Sequence, residues 1–382
     1  MKFVLAPDSF KESMSAKTAA LAMKNGITKI FPDAECIIVP MADGGEGTVE
    51  SLVEVTGGEF ISTEVIGPLG EKTIAEYGIL GDENIAVIEM ASASGIHLVK
   101  KEDRNPLYTT SYGTGQLIKH ALDQGVSRIL MGLGGSVTND GGVGMLQALG
   151  ASFKDQSGAE LAQGGGALRS LTSIDISGLD PRLQSIKIEV ASDVINPLIG
   201  ENGASYIFGP QKGATSEIVK LLDQNLSLYA DVIKSQLGKE ISHVEGAGAA
   251  GGLGAGLLAF LHAEMRKGID LVIEYTHFEE KLREVDFVFT GEGSIDGQTL
   301  FGKTPFGVAS IAAKYNIPVI AFAGKIGDGV EALYDHGFTA IVGILKELTT
   351  LDEALSLGER NLEFAAENVC RTLSIGMTMK SE

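Results

Sequence analysis

The chain has 382 residues, 44% of them apolar, with 30 Lys and Arg against 50 Asp and Glu and a formal net charge of −20. Single cores stop growing at about 250–300 residues, so two domains are expected, and the apolar share suits a folded globule rather than a disordered chain. The negative balance argues against nucleic acid or an anionic membrane as main partner. A small anionic substrate stays compatible with locally positive loops.

In chain order, Met1–Asp8 is apolar too briefly for a signal peptide, and Phe3–Leu5 reads as a first buried strand. Ser15 is placed to cap a helix whose apolar face carries Ala19, Ala20, Ala22 and Met23. Cys36–Val39 reads as a second strand, ending at the loop that holds Asp43 and Glu46. Ile61–Val65, Ala75–Leu80 and Ala86–Met90 read as a hairpin or meander between glycine turns. Strands at Arg128–Gly132 and Ile186–Ala191 follow, and then a Gly- and Ala-rich segment over 246–256 that leads into an apolar helix. From residue 285 the texture alternates. Val285–Thr290, Pro318–Ala323 and Thr339–Leu345 read as strands, and Gly307–Lys314 and Asp328–His336 as helices. Thr350-x-x-Glu353 is a capping box opening a long C-terminal helix.

Five apolar strands with intervening helices, drawn from the two ends of the chain, make a doubly wound parallel sheet. The expected organisation is a discontinuous α/β domain, residues 1–60 with 286–382, interrupted by a mixed α/β domain over 61–285. A cleft between them, closing on ligand to exclude water, is the expected site. Cys36 and Cys370, at opposite ends of the chain, are too few for a disulfide framework and match no metal spacing. No uncharged apolar run reaches membrane-spanning length, so a soluble, cytoplasmic protein is expected, with a homo-oligomer left open.

The chemistry is concentrated in loops. Glycine numbers 50, roughly twice the usual share, which suits anion binding through backbone N–H groups as well as plain tight turns. Asp8, Ser9 and Lys11 follow the first strand, Asp43 and Glu46 the second, and Glu292, Asp296 and Lys303 the third. Ligands of parallel sheets bind at the carboxyl ends of strands, so these acids and lysines are candidates for Mg²⁺ and phosphate. Each also suits turn or cap chemistry.

Residues 297–304, Gly-Gln-Thr-Leu-Phe-Gly-Lys-Thr, satisfy the phosphate-loop pattern G-x-x-x-x-G-K-[ST]. The context does not, because Gly291–Asp296 intervene after the strand and Pro305 follows directly. Lys303 is therefore expected near phosphate without that fold, and the Thr304 hydroxyl is expected to matter little. Residues 246–251 match G-x-G-x-x-G without the strand that a dinucleotide site requires, which favours close helix packing. The loop 134–142 carries Gly134, Gly135, Ser136, Thr138, Asn139 and Asp140 ahead of a helix, a pattern for an anion cradle that ordinary N-capping also explains. Ser111–Gly115 repeats that arrangement. Asp193 lies just beyond a strand, and Lys212 sits in a tight turn. The histidines show no metal spacing, and no Gly-x-Ser-x-Gly elbow is present.

The segments Ala6–Ser13, Ala42–Thr48, Gly134–Gly142, Ala191–Pro197, Phe208–Gly213, Gly246–Gly252 and Gly291–Thr299 resemble, in order, those of the bacterial glycerate kinase type-1 family, over essentially the whole chain. The resemblance implies ATP:glycerate phosphotransfer with Mg²⁺, 2-phosphoglycerate as the favoured product, and a flavodoxin-like domain interrupted by a second domain. Val137 stands where the family usually has Ala, and Ser294 where many members have Arg, so another cation would have to replace that Arg if it meets an anion.

Phosphoryl transfer asks mainly for positioning and charge neutralisation. From chemistry alone, Lys11 and Lys303 are assigned to phosphate or to the glycerate carboxylate. Asp43 and Glu46 are assigned to Mg²⁺, and Asp193 or Asp296 to the substrate hydroxyl proton. Asp8, Ser9, Lys212 and the 134–142 loop are assigned to substrate or phosphate. The rival readings are a nicotinamide-dependent hydroxy-acid oxidoreductase, resting on residues 246–251, and a non-catalytic glycerate sensor.

Overall fold

A computed structural model describes residues 1–45, 47–81 and 83–380. The chain divides into two compact units: Met1–Asp43 with Glu50–Thr56 and Lys267–Glu382, and Gly44–Val49 with Gly57–Arg266. Residues 267–285, placed by the sequence in the insertion, thus belong to the first unit. The helix Gly268–Tyr275 buries Ile269, Leu271 and Val272 there. A Cβ on Gly307 would lie 2.2 Å from Ile269 Cγ1, so a side chain at 307 would push this helix away.

The first unit is built on five parallel strands. Lys2–Leu5 lies between Glu35–Ile38 and Phe287–Ile295, and Val319–Ile326 and Phe338–Gly343 follow outward. Counted along the unit, the order is 2-1-3-4-5, the doubly wound arrangement whose switch point lies between strands 1 and 3. Phe3, Leu5, Phe289 and Phe322 form a core with the helices Ala16–Thr28 and Gly358–Lys380. Ser15 caps the first of these by accepting the Thr18 amide. Ala19, Ala20, Ala22 and Gly26 on it are buried and small, which lets the two helices approach closely.

Three elements differ from the sequence expectation. The third strand runs to Ile295, with Ser294 in register with Lys325 and Ile295 with Ile326. Gly291 and Gly293 suggest a loop by propensity, but backbone pairing overrides it. Val330–His336 is a 3₁₀ helix, and the C-terminal helix is split into Leu351–Ser356 and Gly358–Lys380.

The second unit holds a six-stranded mixed sheet. Glu59–Ile66, Lys72–Ile79 and Ile85–Glu89 form the antiparallel meander, and Arg128–Gly132, Lys187–Ala191 and Glu264–Arg266 continue it in parallel. Its core includes Tyr77, Phe153, Tyr229 and Phe260. The helix Ala249–Phe260 opens with Ala250, Gly251 and Gly252 at positive φ. Among the described residues no helix is long and apolar enough to cross a membrane.

Candidate active site

At the carboxyl end of the five-stranded sheet lies a cavity of about 880 Å³, lined by residues of the first unit alone. Asp8, Ser9, Lys11, Asp43, Glu292 and Lys303 all line it. The strands bring the two central acids together. The Asp8 amide donates to the Gly291 carbonyl at 2.9 Å, and Thr290 Oγ1 donates to the Ala6 carbonyl at 2.8 Å. The chain beyond strand 1 is thereby laid along strand 3 at the switch point, next to Glu292. Phe10, buried in the core, and the Ser13 hydroxyl, which donates to the Leu355 carbonyl at 2.6 Å, anchor the turn that carries Lys11.

Crowded burial sets the electrostatics. Burial, and then the charge of Asp43, pushes the Asp8 carboxyl up to about 6, against hydrogen bonds from Thr304 and the Ser9 amide and the charge of Lys11. Thr304 Oγ1 donates to Asp8 Oδ2 at 2.5 Å. Glu292 is pushed up to about 7 by burial, with Lys303 opposing and Asp8 adding to the rise. Lys303 Nζ lies 3.4 Å from Glu292 Oε1 and 3.3 Å from the Ser294 carbonyl, and Thr299 Oγ1 donates to the same Glu292 oxygen at 3.3 Å. Lys325, in register with Ser294, also lines the cavity and supplies a second cation near that position.

The phosphate-loop match keeps the strand–loop–helix order, since only Asp296 separates strand 3 from Gly297. Its first three amides, however, are already engaged. Gly297 N–H donates to the Asp328 carbonyl, Thr299 N–H to the Asp296 carbonyl, and Gln298 N–H to Asp296 Oδ1. Asp296 therefore caps the 3₁₀ helix Gly297–Phe301 and is not among the cavity-lining residues, contrary to its sequence assignment as a proton acceptor. Lys303 is the N-cap residue of helix Thr304–Lys314, with its side chain turned to the cavity.

The second unit gathers a different set. Lys212 is 1% exposed, and its Nζ donates to Ser136 Oγ at 2.8 Å and to the Thr138 carbonyl at 2.7 Å. Burial pushes its ammonium down to about 7, with the charge of Asp140 working the other way. Asp140 accepts from Ser111 N and Oγ and from the amides of Gly142 and Gly144, tying the two helix-opening loops together. This acid is a strut of the loop. The Val137 and Gly141 amides are likewise used internally. Among the described residues, Thr138 Oγ1 and Asn139 Oδ1 are buried without a partner, although Asn139 Nδ2 donates to Ser205 Oγ at 3.0 Å. Gly134 and Gly135 are exposed, and Asp193 is exposed beyond its strand. The 246–251 segment follows helix Ser216–Leu237 with no strand between them, and packs against this loop. Glu46 lies outside the described residues.

The sequence reading thus missed Thr304 as a partner of Asp8 and gave Glu292 no role of its own. The available signal was an acid flanked by glycines directly after an apolar strand. The profile of the Glycerate kinase family matches residues 3–374. The chain is 53% identical to a glycerate kinase of Halalkalibacterium halodurans over 366 residues, 96% of each chain. It is also 53% identical to glycerate 2-kinase of Escherichia coli K12 over 377 residues, 99% of each. A crystal structure from Salmonella typhimurium LT2, described as a glycerate kinase 2, superposes with a TM-score of 0.90 at 51% identity, covering 99% of both chains. A parallel sheet that sets acids and lysines around one cavity, and these full-length likenesses, lead to one conclusion: the chain belongs to the glycerate kinase family.

Proposed function

We propose that the chain transfers the terminal phosphoryl group of ATP to D-glycerate with Mg²⁺, giving 2-phosphoglycerate in the cytoplasm. The observation that carries this reading is the convergence of Asp8, Glu292, Lys11 and Lys303 on one cavity at the switch point of the sheet. Such a site supplies the charge neutralisation that phosphoryl transfer asks for, and a proton acceptor for the attacking hydroxyl.

The donor set fits Mg²⁺. The charge of Asp43 raises the cost of ionising Asp8, a cost that a divalent cation relieves, and both side chains offer hard oxygen donors. Among the described residues no group of three or more acids, His or Cys is arranged to hold a metal by itself. That suits an ion carried by nucleotide phosphates, which needs only one or two carboxylates. Asp43, with Asp8 beside it, would hold the ion, with Glu46 as a further candidate. When bound, Mg²⁺ neutralises charge on the phosphoryl group.

Lys303 and Lys11 hold phosphate oxygens. Glu292, its carboxyl pushed up to about 7 by burial, takes the hydroxyl proton of glycerate in place of Asp296. Within the second unit, Lys212 and the buried, unpartnered Thr138 Oγ1 and Asn139 Oδ1 are candidate glycerate ligands. Ser9 in the first unit, and Gly134 and Gly135 in the second, each leave room for close approach of a ligand to their own unit, and Asp193 is a secondary candidate for the proton.

The test is a coupled assay of ADP release with D-glycerate and MgATP, with phosphorus NMR of the product. Turnover giving 2-phosphoglycerate is expected. No turnover, or a requirement for NAD(H), overturns the reading.

A further inference from the structure

The cavity in the sheet unit has two chemically different halves. The half at strands 1 and 3 carries Asp8, Lys11, Glu292 and Lys303. The half at the ends of strands 4 and 5 is walled by Ile326, Ile344, Leu345, Leu351 and Leu355. Leu345 is 45% exposed and Leu351 70% exposed, so large apolar side chains are left facing an open space. Glycerate, a three-carbon acid that is polar on every side, has no use for such a wall. It is also far too small for a cavity of about 880 Å³.

In the sheet order, strand 1 and strand 5 are separated by three inter-strand spacings of about 4.8 Å each. A nucleoside triphosphate spans that distance, with a flat heteroaromatic base at one end and the transferable phosphoryl group at the other. Ligand sites of this kind are mostly apolar, with a few convergent polar groups that fix orientation.

We infer that the apolar half, Ile326, Ile344, Leu345 and Leu351, is the purine subsite of the nucleotide, whose phosphates run toward Lys303 and Lys11. The inference rests on the kinase reading and assigns the whole nucleotide to the sheet unit. Glycerate recognition then falls to groups other than this apolar wall.

The test uses the full-length chain with Leu345→Asp and Leu351→Asp. Both positions are exposed, so the fold should tolerate the changes, and a thermal melt verifies this. Binding of ADP and of tripolyphosphate is measured by titration calorimetry, and KM for ATP and for D-glycerate by steady-state kinetics. The expected result is about a tenfold or greater weakening of ADP and rise in KM for ATP, with tripolyphosphate affinity and KM for glycerate changed less than about twofold. Unchanged ADP affinity in both variants, or a rise confined to KM for glycerate, overturns the subsite. Wild-type protein that binds ADP in this variant-sensitive way but fails to turn over glycerate supports the subsite and sinks the kinase reading instead.

Discussion

Thr304 shows how one hydroxyl links a helix start to the chemistry. It is fully buried, opens the helix Thr304–Lys314, and stabilises the charged form of Asp8. Thr304→Val removes the donor and leaves the buried carboxylate with one partner fewer, so Asp8 should titrate above about 6. The acidic limb of the kcat/KM profile should move to higher pH by about one unit, or about 1.4 kcal/mol, with about tenfold loss well below pH 6 and only about twofold at pH 7. A profile superimposable on the wild type would remove Thr304 from the site. Lys303 acts through charge at the same place. Lys303→Ala should cost about 10²-fold in kcat/KM, roughly 2.7 kcal/mol. Its melting temperature should hardly move, because a third of the side chain faces solvent. Near-normal kcat/KM would make it a surface lysine.

At the scale of elements, the glycine-rich opening of helix Ala249–Phe260 is a packing device. Gly251 has φ +70°, and a Cβ there would lie 2.0 Å from the Thr138 carbonyl oxygen. Gly238 ends helix Ser216–Leu237 at a similar φ of +68°, but a Cβ there meets nothing within 4 Å. The pair separates backbone strain from collision. Gly238→Ala should cost about 1 kcal/mol, the strain of a left-handed residue. Gly251→Ala should cost clearly more and raise KM for glycerate as the 134–142 loop is displaced. Denaturant midpoints measure the first effect and kinetics the second. Equal costs would mean that the loop yields freely.

For the whole molecule, the sites oppose stability, each in its own pH window. Asp8 and Glu292 have folded pKa values of about 6 and about 7, above their unfolded values, so the folded state binds more protons between roughly pH 4 and 7. Stability from these groups is present at the acid end and lost as pH rises through that window, each tenfold difference in proton affinity between folded and unfolded chain being worth about 1.4 kcal/mol. Lys212 has the reverse sign. Its depressed pKa of about 7 means that stability is gained as pH rises from there toward the ordinary lysine value. The double variant Asp8→Asn, Glu292→Gln should therefore melt above the wild type at pH 7.5 by several degrees, with the gap closing by pH 4.5 and with activity lost. A gap that is constant with pH would place the effect in packing instead of in ionisation.

The sequence by itself determined the architecture. Apolar runs at Phe3–Leu5, around Phe289 and around Phe322, each bounded by turns, leave little choice but buried parallel strands, and Ser15 announces its helix by local capping chemistry. It also determined which residue types could handle phosphate, because acids and lysines after strand ends are a local pattern. Only the tertiary structure decided their roles. Asp296 and Glu292 lie four positions apart in similar glycine-rich surroundings. One spends its carboxylate on the amide of Gln298, and the other is pressed into a cavity against Lys303. Whether strand 3 stops at Thr290 or runs on to Ile295 depends on a partner strand about thirty residues away, which no local propensity encodes. Thr304 meets Asp8 across 296 positions of chain. Burial, and with it every shifted pKa of the site, arises from such long-range packing, and so it is absent from the sequence until the sheet has assembled.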